Sequence, residues 1–92
     1  MTPNEMRFVL GERVRRTRQV EGLSQEELAR RVRLSRPALV NMELGRQGIT
    51  VWRLCQLAEA LHTPAHIWLM PERDFRRELA RALTEREQEE RR

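Results

Sequence analysis

Met6, Val9, Leu10, Val14 and Thr17 recur at helical spacing and mark the inner stripe of a first helix. Thr2, Pro3 and Glu5 open it as cap, first-turn proline and capping-box acid, and Gly22 closes it after about Val20. Arg7, Arg13, Arg15, Arg16 and Arg18 are read as lying elsewhere on the cylinder.

The next segment, SQEELARRVRLSRPALVNMELGR at residues 24–46, has a more specific shape. Ser24 and Glu27 form a second capping box, and Leu28, Ala29 and Val32 give a helix of about two turns its inner face. Leu34 plugs a short connection. Ser35 can cap another helix in which Leu39 and Met42 face inward before Gly45 supplies a left-handed ending. Helices this short cannot stand alone, so they must lean on others and cross steeply, as a helix-turn-helix does. Once Leu39 and Met42 are buried, the outward face of the second helix is left with Arg36, Pro37, Val40, Asn41 and Leu44.

Thr50 caps a fourth helix, Val51 to Leu61, with Leu54, Leu57, Ala58 and Leu61 on its core face and Cys55 packed beside them as a small buried hydrophobe. Thr63 and Pro64 open a short fifth helix over residues 64–70. Ile67, Trp68 and Leu69 are more apolar surface than that helix can bury by itself. Beyond Pro71, Phe75, Leu79, Ala82 and Leu83 form a narrow stripe on a charged helix. It can fold back on the domain, pair with its mate in a dimer or bind another protein, so Trp68, Phe75, Leu79 and Leu83 are candidate dimer or partner contacts. TEREQEERR, from Thr84 to Arg92, has no apolar residue and is expected to fray. The division that follows is a helix-turn-helix unit over residues 1–70 and a C-terminal helix with charged tail over 71–92.

The core segment, with LGERVRRTR at 10–18, EGLSQEELA at 21–29, NMELGRQ at 41–47 and LCQLAEAL at 54–61, resembles the lambda-repressor-like, or XRE, helix-turn-helix family of phage repressors, Cro proteins and bacterial regulators. The likeness covers roughly residues 6 to 70. It implies an all-α fold of five helices, to which this chain adds a C-terminal one. It also implies a structural ion pair between Arg18 and Glu43, and a phosphate contact from Gln25, which by the same resemblance braces Arg36. Three positions depart from the family's pattern. Arg33 stands where Gly is common, and a left-handed backbone there costs a side-chain-bearing residue about 1 kcal/mol. Pro37 disfavours a helical Arg36, which moves the expected cap of the recognition helix from Ser35 to Arg36. Leu44 replaces a phosphate-contacting Asn, a task left to Arg46 and Gln47.

Charge bears on the partner. The 92 residues carry a formal charge of +4, all of it in the first half: residues 1–46 hold ten arginines and six acids, residues 47–92 eight of each. A basic helix-turn-helix suits a polyanion such as DNA. Arginine's fork matches guanine O6 and N7 and asparagine's amide matches adenine N6 and N7, making Arg36 and Asn41 the base readers, with Pro37 or Val40 against a thymine methyl. Gln25, Arg46, Gln47 and Arg53 are the candidate phosphate contacts.

Nothing in the sequence supports catalysis: there is no nucleophile with a base, no carboxylate pair around a pocket and no phosphate loop. His62 and His66 are four apart, but Pro64 interrupts them and no third ligand is near, so no metal or other cofactor is expected. One cysteine and the lack of a long apolar run point to the cytoplasm, on the nucleoid, away from any membrane. The expectation is a sequence-specific, duplex-DNA-binding repressor acting as a homodimer on an inverted repeat. An antitoxin-type protein, neutralising a partner through the C-terminal stripe over 72–84 or the Trp68 surface and autoregulating its operon, is the alternative.

Overall fold

The computed structural model describes residues 1–91. It consists of α1 (Pro3–Val20), α2 (Gln25–Arg31), α3 (Arg36–Glu43), α4 (Val51–Ala60), a 3-10 helix (Ala65–Leu69) and α5 (Glu72–Glu90), with no strand among the described residues. Arg92, the end of the expected tail, lies outside them.

Four of the helix starts are fixed by local chemistry. The hydroxyls of Thr2, Ser24, Ser35 and Thr50 accept from the amides of Glu5, Glu27, Ala38 and Arg53, satisfying donors that a helix leaves orphaned. The cap of α3 is thus Ser35, and Arg36 is its first helical residue rather than its cap. Pro37 is tolerated there because first-turn amides have no intrahelical acceptor to lose. The fifth helix is a single 3-10 stretch that begins after Pro64 and has no side-chain cap.

The core joins Val14 of α1, Leu28, Ala29 and Val32 around α2, Leu39 of α3, Leu54, Leu57 and Ala58 of α4 with Leu61 at its cap, Ile67 and Trp68 of the 3-10 helix, and Phe75 of α5. Two expected partner contacts are therefore spent inside the chain. Trp68 is 1% exposed and Phe75 fully buried. Full burial of a side chain such as that of Phe75 contributes roughly 1.5–3 kcal/mol. Trp68 Nε1 donates to Thr17 Oγ1 at 2.9 Å, so the indole's one polar atom is satisfied where it is buried. Leu79 packs partly against the core, while Leu83 remains exposed. The first half of α5 thus completes the core that residues 1–70 begin.

Arg13 belongs to the interior as well, contrary to its expected place on the outer cylinder. Its guanidinium donates to the carbonyls of Trp68 (2.9 Å) and Met70 (2.5 Å) and to Glu72 Oε2 (3.1 Å), and lies 4.9 Å from the Phe75 ring centroid. Arg16 reaches the same ring at 5.1 Å and Glu72 Oε1 at 3.1 Å. Both arginines hold the start of α5 against α1.

Two other expectations are corrected. Cys55 is exposed, because it sits off the Leu54–Leu57–Ala58–Leu61 stripe. Residues Thr84 to Glu90 continue α5 instead of fraying. Arg86 accounts for this: it pairs with Glu90 one turn on at 3.3 Å and donates to the Glu21 carbonyl at the end of α1. No helix among the described residues is long and apolar enough to cross a membrane.

Candidate nucleic-acid interface

Recognition of a groove needs a helix that is both projected and rigidly held, and α3 meets the second requirement through its C-terminal end. Glu43 is 4% exposed and is the acceptor for three donors: Arg18 Nε at 2.7 Å, Arg18 Nη2 at 3.1 Å and Gln25 Nε2 at 3.1 Å. The two-pronged arginine contact fixes angle as well as distance. Arg18 Nη1 also donates to the Leu23 carbonyl at 2.8 Å, so α1, the α1–α2 turn, α2 and α3 meet at one carboxylate. Gln25 therefore braces Glu43, and among the described residues it makes no hydrogen bond to Arg36.

Backbone contact reinforces this junction. A Cβ on Gly11 would strike the Met42 carbonyl oxygen and lie 2.8 Å from that of Glu43, so only glycine lets α1 approach α3 this closely. Gly45, with φ 73°, ends α3 and abuts the first turns of α1: a Cβ there would lie 2.6 Å from Phe8 Cα. At the opposite end, Arg33 adopts φ 56° in the α2–α3 turn. The turn keeps its left-handed residue and bears the roughly 1 kcal/mol that a glycine would have spared.

With its inner face so occupied, α3 presents Arg36 and Pro37 exposed and Val40 and Asn41 half-buried at the rim. Among the described residues, the Arg36 and Asn41 side chains have no hydrogen-bond partner, which leaves their donors and acceptors available. Leu44 caps α3 and is exposed, followed by exposed Arg46 and Gln47 in the loop to α4. Arg53 stands apart from this group. Its guanidinium donates to the Val32 carbonyl (2.9 Å) and Gln56 Oε1 (2.7 Å) and stacks at 5.1 Å on Trp52. It ties α4 to the end of α2 through its Nη1.

His62 and His66 are exposed, and no group of three potential metal ligands occurs among the described residues. The residues that sequence reasoning missed are Gly11, Arg13, Glu72 and Arg86. Arg13 carried a usable signal, since it follows Leu10 by three residues and precedes Thr17 by four on the inner stripe.

A model of the helix-turn-helix domain family matches residues 9–66. Among solved structures, the chain is similar to the clp gene regulator ClgR from C. glutamicum, at 30% identity over 70% of this chain and 83% of that one, with a TM-score of 0.68. Curated proteins give no significant match.

Proposed function

Since the chain belongs to the helix-turn-helix domain family and is a DNA-binding transcriptional regulator, we propose that it is a repressor that reads duplex DNA as a homodimer on an inverted repeat. The observation that carries this reading is the pairing of a rigid junction at Glu43 with an outward α3 face whose polar ends are unspent. Arg36 and Asn41 read base edges, and Pro37 or Val40 contacts a thymine methyl. Gln25, Arg46 and Gln47 hold phosphates and set the register. Two-fold symmetry then places the two recognition helices about 34 Å apart, one DNA turn.

With Trp68 and Phe75 withdrawn into the core, association falls to the surface beside them. Leu69 is 63% exposed and Met6 45%, flanking an apolar groove also lined by Val9, Met70 and Pro71. This supports a homodimer. The antitoxin-type alternative has lost the two largest side chains of its proposed carrier. The repressor acts in the cytoplasm, without cofactor or metal.

Footprinting on the DNA upstream of its own coding sequence tests the arrangement. Two symmetric protected half-sites about one turn apart are expected. A single protected half-site bound by a monomer contradicts the homodimer and the inverted repeat.

A further inference from the structure

The first turns of α1 lie where the proposed DNA surface continues beyond α3. A Cβ on Gly45 would be 3.3 Å from the carbonyl carbon of Arg7, and one on Gly48 would be 3.7 Å from Arg7 Cδ. Arg7 therefore runs along the α3–α4 loop, beside the segment that carries Arg46 and Gln47. Its guanidinium donates to the Asn4 side-chain oxygen, one turn earlier, which orients the side chain without neutralising it. Three of the other four arginines of α1 are engaged differently: Arg13, Arg16 and Arg18 are in ion pairs. Among the described residues neither Arg7 nor Arg46 has a carboxylate partner. The nearby acids have other work, as Glu5 caps Thr2 and Glu12 faces Arg16.

From this placement we infer that Arg7 is a further DNA-backbone contact, forming with Arg46 a two-arginine clamp on phosphates beside the C-terminal end of the recognition helix. The inference rests on the DNA-binding reading above and extends it to α1, which that reading uses only as a brace. A phosphate contact supplies affinity without sequence preference, because it replaces counterions released from the backbone. Arg7 therefore strengthens binding to every duplex equally.

The test is the salt dependence of anisotropy for a labelled duplex of scrambled sequence, which requires no knowledge of the operator. Arg7→Ala should lower the slope of log affinity against log salt by about 0.9 per bound chain. Arg7→Lys should restore most of it. Arg91→Ala removes the same charge at the end of α5, five residues past Arg86, whose partner Glu21 lies about 20 Å along α1 from Arg7, and should leave the slope unchanged. An unchanged slope for Arg7→Ala, or an equal drop for Arg91→Ala, overturns the inference while leaving the DNA-binding reading intact. Absence of any salt-sensitive duplex binding by the unaltered protein overturns both.

Discussion

Gly11 and Glu43 touch backbone to backbone: a Cβ on the first would sit 2.8 Å from the carbonyl oxygen of the second. The contact sets the distance between the brace, α1, and the end of the recognition helix. Gly11→Ala should therefore destabilise the protein by about 1–3 kcal/mol through overpacking, although alanine is the better helix former by up to about 1 kcal/mol. Urea unfolding measures the net sign. A stabilised variant would mean that α1 and α3 can separate without cost.

Glu43 accepts from two side chains in a nearly dry setting, its side chain 1% and that of Arg18 10% exposed. Removing one charge strands the other, at a cost of about 3–5 kcal/mol for a buried pair. Glu43→Gln should show a loss of that order in denaturant melts. Arg18→Lys should also be destabilising, because a single ammonium cannot reproduce the two-pronged contact. A melt indistinguishable from the parent for Glu43→Gln would remove the junction from the account.

α5 is part of the folded unit. Phe75→Ala should cost about 3–5 kcal/mol, the range for emptying a fully buried aromatic position. A chain ending at Pro71 should lose the helical signal of α1–α4 at lower temperature than the full chain, because Phe75 and Glu72 leave with it. Equal melting temperatures by circular dichroism would make α5 an appendage.

Acid should loosen the same joint. Partial burial pushes the Glu72 carboxyl up, but hydrogen bonds from Arg16, Arg76 and Arg13 outweigh it and hold the group below its ordinary 4.5. A carboxyl depressed in the fold stabilises it above the unfolded value and loses that contribution as pH falls through the folded one. Glu72→Gln should thus be less stable than the parent at neutral pH, the gap closing below about pH 4. Since Glu72 is 45% exposed, solvent screens much of the effect. A gap that widens on acidification would reverse the assignment.

How much could be read in advance depended on how local the determinants were. The capping hydroxyls of Thr2, Ser24 and Thr50 act over three residues and locate α1, α2 and α4 closely, whereas at α3 the Ser35 hydroxyl prevails over the shift to Arg36 that Pro37 suggests. The outward set on α3 followed from helical spacing once Leu39 and Met42 were assigned inward. What escaped was long-range. Trp68 looked like a free contact because nothing near it in sequence indicates that Thr17, 51 positions away, will accept its indole N–H. The stripe Phe75–Leu79–Leu83 was legible, but not that α1, with Arg13 and Arg16, covers its Phe75 end and leaves Leu83 exposed. Arg86 similarly converts an apparently structureless tail into helix through the Glu21 carbonyl, 65 residues earlier. Cys55 was a misjudged angle on a helix whose stripe was otherwise correct.

The central claim is that the outward face of α3 reads base sequence, with Arg36 as one reader. Parallel selection from a random-duplex pool by the parent protein and by Arg36→Ala tests it most directly. The parent should enrich a two-fold symmetric motif, and the variant should return the same motif with one position per half-site relaxed, a loss of about 1–3 kcal/mol of discrimination there. Failure of the parent to enrich any motif, or an unchanged motif from Arg36→Ala, would contradict the claim.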